Sequence, residues 1–222
     1  HAAEKAPEKY HGVSKPNSVD KSHGNKPSET DPTSTFSNAC GKVVESLMKK
    51  DERTIAITAG MCKGTGLENV RTCFPERHRD VGIAEEHAVV SAAGMAAAGQ
   101  RPIVVLYATF MQRAMDYVFH DVCLQNLPVI FCLDRAGVVD DGPTHHGIHD
   151  LAFWQAVPNL EVFQPADRLE LDMMIRKAFE SQRPTIIRYP KGDAAEIETN
   201  SKVPFEWGKA GVLKEGKDIA LW

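Results

Sequence analysis

The chain alternates short apolar runs rich in β-forming residues with segments whose apolar positions recur at helical spacing. This alternation constrains the fold more than any other feature of the sequence. The runs that predict strands are 54–58, 80–83, 102–107, 128–133, 161–163 and 185–189. Strands that alternate with helices favour an α/β fold, in which a mostly parallel sheet is covered by helices on both faces.

The predicted helices fill the spaces between these strands. The clearest begins after a capping residue, Thr33 or Ser34, and places Phe36, Val43 and Met48 on one apolar stripe. Further helices are expected over 88–99, 111–123, 151–156 and 167–181, with loops over 60–66 and 134–150. In such sheets ligands bind at the carboxyl ends of the strands, so the loops that follow the strands are where a site is expected.

Composition excludes several classes of protein. The 222 residues are 42% hydrophobic, enough for one substantial core, and the formal net charge of −4 gives no sign of nucleic-acid binding. No apolar run approaches the ~20 residues of a membrane span, and no signal peptide is recognisable. The five cysteines show no Cys-x-x-Cys spacing. We therefore expect a reduced, cytoplasmic protein without a structural metal.

The two ends differ in composition from the middle. Residues 1–33 are dense in Lys, Pro, Ser and Asn, and we expect a largely disordered linker from a missing N-terminal domain. Residues 34–195 are expected to form one domain. Residues 196–222 are expected to be a second linker that ends in the apolar run Ile219–Trp222, the first strand of a truncated C-terminal domain.

The stretch Asp80–His87 precedes a run of small residues, 88–99, which predicts a helix buried on nearly all sides. A carboxylate in the first turn of such a helix lies in a poorly solvated place, where its proton affinity can be tuned. Glu85 and Glu86 are thus candidate functional residues. The alternative is that they only satisfy the free amides of the helix start.

Several polar and aromatic side chains lie at the ends of the predicted strands or just after them, and they are expected to converge with Glu85 on one sheet edge. They are Tyr107, Thr109, Phe110, Arg113, Asp134, Arg135, Asp141, His145, His146, Arg188, Tyr189 and Lys191. Arginines, histidines and aromatic surface together suit an anionic, phosphorylated small substrate. Taken singly, each arginine is better explained by a surface ion pair and each histidine by a loop contact, and only convergence on one site justifies a catalytic assignment.

These residues stand in motifs that resemble a known family. The motifs, in order, are Asp80-Val-Gly-Ile-Ala-Glu-Glu-His87, Tyr107-Ala-Thr-Phe-Met-Gln-Arg-Ala114, His120-Asp-Val122, Asp134-Arg-Ala-Gly137, Asp141-Gly-Pro-Thr-His145 and Arg188-Tyr-Pro-Lys-Gly192. They closely resemble the central, pyrimidine-binding domain of the 1-deoxy-D-xylulose-5-phosphate synthase family, and the resemblance runs from about Tyr10 to Lys191.

The resemblance implies an activity and a fold. Members of this family are transketolase-like homodimers that depend on thiamine diphosphate and Mg²⁺. They condense pyruvate with D-glyceraldehyde 3-phosphate to 1-deoxy-D-xylulose 5-phosphate and carbon dioxide, a product that feeds isoprenoid, thiamine and pyridoxal synthesis. The fold implied is that of the transketolase pyrimidine domain.

The resemblance also implies residue roles. Glu85 matches the glutamate that bonds a ring nitrogen of the cofactor's aminopyrimidine, which promotes loss of the thiazolium proton. Phe110, Tyr107 and Arg113 match cofactor-binding positions. Arg135 and Arg188 match arginines that hold the phosphate of the aldehyde. Substrate-site positions are matched by Tyr107, Asp141 and His145, and catalytic positions by Glu85, His145 and the linker histidine His11.

Two departures from the family pattern are visible. Glu86 stands where the family often has Gln, and because successive helical positions point ~100° apart, only Glu85 is expected to face the cofactor. The loop 136–141 is one residue shorter than in typical members, which makes the alignment of Asp141 less direct than that of Arg135.

The sequence lacks the Gly-Asp-Gly segment through which this class of enzyme holds Mg²⁺ and the cofactor diphosphate; Gly192-Asp193-Ala194 lacks the second glycine. We therefore expect the chain to carry half of an active site, without metal ligands, and to act with the remaining domains of its parent. Two alternatives stay open. One is a transketolase or a 2-oxo acid dehydrogenase subunit, and the other is a non-catalytic, free-standing module of the same fold.

Overall fold

The computed structural model of the chain describes residues 35–195, together with Glu4 and residues 208–209, 212 and 216–218. The chain divides into two units, His1–Thr30 and Asp31–Trp222. The sheet and its helices belong to the second unit. The expectations for residues 1–33 and for the strand Ile219–Trp222 lie outside the described residues.

A six-stranded sheet forms the centre of the domain, in the order β2-β1-β3-β4-β6-β5, and all neighbouring strands are parallel. The strands are β1 (Thr54–Thr58), β2 (His78–Asp80), β3 (Arg101–Tyr107), β4 (Ile130–Asp134), β5 (Glu161–Phe163) and β6 (Thr185–Arg188). The predicted parallel α/β fold is therefore confirmed.

Helices connect the strands and cover both faces of the sheet. They are α1 (Phe36–Lys50), α2 (Glu68–Cys73), α3 (Glu85–Ala97), α4 (Ala108–Met111), α5 (Met115–Tyr117), α6 (Asp150–Trp154) and α7 (Arg168–Ser181). Short 3₁₀ turns lie at Pro75–Arg77, Gln112–Ala114 and Pro143–His145. The two long amphipathic helices, α1 and α7, agree with the predicted helical spacing.

The strands alternate their side chains between two apolar clusters, as the period of two in a strand requires. Ile57, Val104, Leu106, Phe131 and Leu133 pack on the face covered by α3. The opposite face packs against α1 and α7, and its buried residues include Ala56, Ile103, Val105, Cys132, Val44 and Leu171. With one cluster on each face, the edge at the carboxyl ends of the strands is left for polar groups.

The N-cap of α1 differs from the prediction. Thr35, rather than Thr33 or Ser34, precedes the helix, and its side-chain oxygen accepts a hydrogen bond from the backbone N–H of Asn38 at 3.3 Å. Thr35 has extended backbone geometry, which is what an N-cap needs. Three adjacent hydroxyl residues give similar local signals, so only the tertiary position of the helix start selects among them.

The predicted bounds of the strand 80–83 are wrong. The strand is His78–Asp80, and the chain then turns at Gly82, whose φ of +71° is incompatible with an extended run. The Asp80 carboxylate accepts hydrogen bonds from the backbone N–H groups of Gly60 at 2.6 Å and Gly82 at 3.1 Å. This turn sets the point at which α3 begins.

Helix α3 is buried on one face rather than on nearly all sides. Ala88, Val89 and Ala92 pack in the core, whereas Val90 is 39% exposed. Since small residues line the helix all round, composition alone does not show which side meets the sheet. The sheet side is decided by the direction in which the turn at Gly82 aims the helix.

The predicted helix 111–123 is present but irregular and starts earlier, at Ala108. After α4, a 3₁₀ turn and α5 it ends in a π-helical segment, Val118–Cys123. There the N–H of Leu124 donates to the carbonyl of Phe119, five residues back, at 3.0 Å. A π-helical turn spans one residue more per hydrogen bond than an α-helical turn does.

Candidate active site

The ends of three parallel strands bring the candidate side chains to one edge of the sheet. Tyr107 closes β3 and pairs in register with Asp134 at the end of β4, while Leu133 pairs with Arg188 at the end of β6. Helix α3 begins with Glu85 after the turn that follows β2. The sequence predicted this convergence, and the topology accounts for it because parallel strands end on the same side.

Glu85 is the first residue of α3 and is 2% exposed. Its Oε2 atom is buried and has no hydrogen-bond partner within the described part of the chain. Nη1 of Arg113 lies 3.5 Å away, beyond a normal hydrogen bond. The neighbouring Glu86 is more exposed, with Oε1 3.7 Å from Nε of Arg113. Only Glu85 faces inward, as expected.

Three rings form an aromatic group beside this edge. Tyr107 and Phe110 stack with ring centroids 5.9 Å apart, and His145 meets the edge of Phe110 at 5.3 Å with an interplanar angle of 73°. Burial raises the pKa of the Tyr107 hydroxyl, so this group stays neutral at physiological pH. The Tyr107 and Phe110 rings lie nearly parallel, and aromatic side chains of this kind can stack with a heteroaromatic ring.

Arg135 lies over Tyr107, with its Cζ atom 3.7 Å from the ring centroid. Its Nη1 donates to the carbonyl of Gly64 at 2.9 Å and lies 3.1 Å from Oδ1 of Asp134. The Nε atom is buried without a hydrogen-bond partner among the described residues. A guanidinium that is only 12% exposed, and whose Nε lacks a partner among the described residues, is suited to binding an anion.

Arg188 has a different environment. It is 5% exposed and forms a two-pronged ion pair with Asp150, with Nε at 3.0 Å and Nη2 at 2.9 Å from the two carboxylate oxygens. Nη1 donates to Gln164, and Nη2 also donates to the carbonyl of Gly147. All three guanidinium nitrogens of Arg188 therefore have protein acceptors, and its ion pair joins the end of β6 to the start of α6, where Asp150 lies.

Most of the remaining candidates lie in the loop after β4, whereas Lys191 follows β6. Nζ of Lys191 lies 2.8 Å from Asp141 and 2.6 Å from Asp140. The hydrogen bond from Lys191 lowers the pKa of the Asp140 carboxyl. Nδ1 of His145 is 2.9 Å from the hydroxyl of Thr144. His11 lies outside the described residues, so its expected approach to this site stays a prediction.

A cleft of about 170 Å³ adjoins the aromatic group on the side of α4. Its lining includes the side chains of Thr109, Gln112, Thr144, His146, His149 and Asp150. Nδ1 of His146 accepts a hydrogen bond from the backbone N–H of Val139 at 3.1 Å, which fixes the ring against the loop.

Sequence reasoning missed three residues that shape the site. Gly64 leaves space for Tyr107, since a Cβ at this position would lie 1.9 Å from the tyrosine hydroxyl oxygen. Asp150 holds Arg188, and Ser37 donates to Oδ2 of Asp134 at 2.6 Å across 97 positions of sequence. The glycines at 64 and 66 were the one available signal, because glycine within a loop often marks a close approach.

Within residues 35–195 and the other described positions, no group of three or more His, Cys, Asp or Glu side chains has the arrangement of a metal site. In the same part of the chain, no helix is both long and apolar enough to cross a membrane. The five cysteines, all within residues 35–195, are free thiols, and only Cys73 is exposed.

The fold and the buried glutamate define a class of protein, and sequence comparison agrees with them. Residues 33–196 match the family model "Transketolase, pyrimidine binding domain". The chain therefore belongs to the transketolase pyrimidine-binding domain family.

Relatives in this family carry a more particular name. The chain is 47% identical over 99% of its length to 1-deoxy-D-xylulose-5-phosphate synthase of Desulforudis audaxviator. It is 44% identical to that of Halothermothrix orenii and 45% identical to the synthase 1 of Geobacter sulfurreducens, again over 99% of the chain. The chain spans about a third of the length of these relatives, 34% in each case. The resemblance seen in the motifs is thus confirmed.

Solved structures give the same fold. A protein named "Split gene transketolase, inactive beta4 tetramer" superposes with a TM-score of 0.72 at 32% identity, covering 83% of this chain and 60% of that one. The transketolase of Campylobacter jejuni also gives 0.72, at 23% identity, covering 83% of this chain and 30% of that one. The second likeness concerns the fold alone.

Proposed function

We propose that this chain supplies the pyrimidine-binding part of the active site of a 1-deoxy-D-xylulose-5-phosphate synthase. The reaction is the condensation of pyruvate with D-glyceraldehyde 3-phosphate, with release of carbon dioxide. The observation that carries the proposal is the buried Oε2 of Glu85, in the first turn of α3, which has no hydrogen-bond partner among the described residues. A buried polar atom without a partner fits a ligand that supplies one.

Thiamine diphosphate fits this arrangement. When bound, it supplies a thiazolium carbon that, once deprotonated, attacks the keto group of pyruvate and stabilises the charge left after decarboxylation. Glu85 would hold a ring nitrogen of the pyrimidine and move a proton at that atom. Phe110 and Tyr107 would pack against the cofactor, and Arg113 would offset the charge of Glu85. Stacked aromatic rings and a buried carboxylate are groups that suit an aromatic ligand with a basic nitrogen.

The phosphate of the aldehyde is assigned to the arginines. Arg135 has a buried Nε without a partner, and the guanidinium is fixed by Tyr107 and Gly64. Arg188 is proposed as the second phosphate residue on the strength of the motif, although its nitrogens already have protein acceptors. For Arg188 to bind a phosphate, part of its pairing with Asp150 must be given up, so we expect Arg135 to contribute more.

His145, Asp141 and His11 are proposed to surround the pyruvate-derived group and the incoming aldehyde. His145 is held by Thr144 and Phe110, which leaves its Nε2 as the atom able to exchange a proton. Asp141 is fixed by Lys191. The assignment of His11 rests on its place in the motif order alone.

Mg²⁺ and the cofactor diphosphate are proposed to bind residues of another domain, because this sequence lacks the Gly-Asp-Gly segment. Residues 34–195 would then form the pyrimidine-binding domain, flanked by linkers at 1–33 and 196–222. The structural neighbour described as an inactive tetramer of one transketolase subunit supports the view that such a domain is inactive alone. A homodimer in the cytoplasm is the assembly and location we propose.

The second candidate is a transketolase, favoured by the solved structures that share the fold. The synthase is preferred because identity to the named synthases is 44–47%, against 32% for the split-gene transketolase. Arg135 within the motif Asp134-Arg-Ala-Gly137 also distinguishes the synthase pattern.

The test is an assay of the full-length gene product with two substrate sets. Pyruvate with glyceraldehyde 3-phosphate should release carbon dioxide and form a five-carbon ketose phosphate. A ketose donor with an aldose phosphate acceptor should give little product. Turnover of the second pair alone would assign the protein to the transketolases, and turnover of neither would favour the non-catalytic module.

A further inference from the structure

Arg135 is held by Asp134, and through it by Ser37, two residues for which the proposed reaction has no other use. Its backbone φ is +62°, a left-handed conformation that side-chain-bearing residues seldom adopt. Oδ1 of Asp134 accepts a hydrogen bond from the backbone N–H of Arg135 at 2.7 Å and lies 3.1 Å from its Nη1. One carboxylate oxygen therefore fixes both the main chain and the side chain of Arg135.

The other carboxylate oxygen of Asp134 is held from across the domain. Ser37, in the first turn of α1, donates its hydroxyl proton to Oδ2 at 2.6 Å. Asp134 is fully buried, and burial raises its pKa while Arg135 and Ser37 favour the charged form. A buried carboxylate needs such partners to stay ionised. The hydrogen bond from Ser37 also fixes the Asp134 carboxylate relative to helix α1.

The opposite side of Arg135 is restrained as well. Gly64 accepts from Nη1 at 2.9 Å, and Tyr107 lies flat beneath the guanidinium. Together with Asp134, Gly64 and Tyr107 contact the Arg135 side chain on several sides and so restrict its rotamers. An arginine side chain that is already fixed loses less rotamer entropy when it binds an anion than a mobile one does.

We propose that Ser37 and Asp134 are positioning residues that keep Arg135 preorganised for the phosphate of the aldehyde substrate. The proposal rests on the proposed function, because it assumes that Arg135 is a phosphate residue. Ser37 and Asp134 act only through Arg135. Their loss should therefore weaken use of the phosphorylated aldehyde and leave the chemistry on pyruvate intact.

The experiment uses the full-length protein with Ser37→Ala, with Ser37→Thr to restore the hydroxyl, and with Asp134→Asn as a second route to the same effect. Ser46→Ala is the matched control, since Ser46 lies on the same helix and contacts Arg176 instead. We expect Ser37→Ala to raise KM for glyceraldehyde 3-phosphate about fivefold with kcat within about twofold. KM for unphosphorylated glyceraldehyde should not change.

A second measurement does not depend on turnover. In the protein without substrates, hydrogen exchange at Nε of Arg135, followed by arginine side-chain NMR, should be faster in Ser37→Ala than in Ser46→Ala or Ser37→Thr. A merely structural role for Ser37 would lower stability but would not separate the two aldehydes.

Arg135→Ala separates the two ways of failing. If this variant loses affinity for glyceraldehyde 3-phosphate while Ser37→Ala and Asp134→Asn keep it, the positioning role is overturned and the phosphate role of Arg135 stands. If the unsubstituted protein is an active synthase but Arg135→Ala keeps normal KM, the phosphate role of Arg135 fails and the positioning role fails with it. If the unsubstituted protein has no synthase activity, the proposed function itself fails. An unchanged KM in Ser37→Ala overturns the proposal whatever the NMR result.

Discussion

Nη1 of Arg113 lies 3.5 Å from Oε2 of Glu85, so a half-exposed cation faces a carboxylate that is 2% exposed. The separation exceeds that of a hydrogen bond, and solvent around the guanidinium screens the attraction. Oε2 thus gains some compensation for its charge while its hydrogen-bonding position stays open. This combination suits a residue that has to exchange a proton with a bound ring.

Glu85→Gln in the full-length protein should leave the fold intact and slow proton exchange at the thiazolium carbon of bound thiamine diphosphate by at least about a hundredfold. Glutamine has the shape of glutamate but cannot exchange a proton with the pyrimidine, and a positioned acid or base typically contributes 10²–10⁴-fold. Hydrogen–deuterium exchange at that carbon, followed by NMR after rapid acid quenching, measures the effect directly.

Glu86→Gln is the matched control, because the Glu86 side chain is 36% exposed whereas that of Glu85 is 2% exposed. Its exchange rate should remain within about twofold of the unsubstituted protein, since an exposed charge is largely screened. Normal exchange in Glu85→Gln, or an equal loss in both variants, would show that the proton-transfer role is misassigned.

The 222-residue chain alone should bind thiamine diphosphate weakly or not at all and should show no synthase activity. The sequence lacks the Gly-Asp-Gly segment that would neutralise the diphosphate through Mg²⁺. Isothermal titration calorimetry with Mg²⁺ and the cofactor is the direct measurement, and the full-length protein is the positive control. Tight binding by the chain alone would mean that its own residues hold the diphosphate.

Arg188→Ala should destabilise the chain by about 3–5 kcal/mol in free energy of unfolding. The substitution leaves Asp150, which is 3% exposed, as an uncompensated buried charge. Urea unfolding followed by circular dichroism measures the change. The same variant in the full-length protein should also weaken use of glyceraldehyde 3-phosphate if Arg188 binds phosphate.

Arg183→Ala serves as the control, because Arg183 pairs with Glu161 at 2.8 Å but its side chain is 49% exposed. A surface ion pair of this kind contributes less than about 1 kcal/mol. Should Arg188→Ala cost no more than Arg183→Ala, the ion pair with Asp150 is not a structural requirement and Arg188 is free to face the substrate.

Gly64→Ala should destabilise the chain by about 1–3 kcal/mol, because its Cβ would lie 1.9 Å from the hydroxyl oxygen of Tyr107. Combining it with Tyr107→Phe removes the hydroxyl and should recover most of the loss. The double-variant cycle, measured by thermal and urea unfolding, reports the coupling between the two positions.

Gly94→Ala is the contrasting substitution, since Gly94 lies in α3 with no atom within 4 Å of its ideal Cβ. An unobstructed Gly→Ala change within a helix should raise stability by about 0.5–1 kcal/mol. If Gly64→Ala behaves like Gly94→Ala, Tyr107 is not confined by the loop at Gly64.

Local pattern was enough to predict much of this protein. The apolar spacing of Phe36, Val43 and Met48 predicted α1, and the run Thr54–Thr58 predicted β1 with its observed bounds. These predictions hold because helix and strand periods are properties of neighbouring residues. The position of Glu85 at a helix start also followed from local sequence, whereas the choice of Glu85 over Glu86 came from the family resemblance.

Tertiary structure decided what depends on distant partners. Arg188 pairs with Asp150, and Ser37 meets Asp134 across 97 positions. No local period encodes these contacts, because they arise only when packed elements bring separate segments within hydrogen-bonding distance. The sequence thus determined the elements and the motifs, whereas packing determined which charged groups are satisfied by the protein and which are left for a ligand.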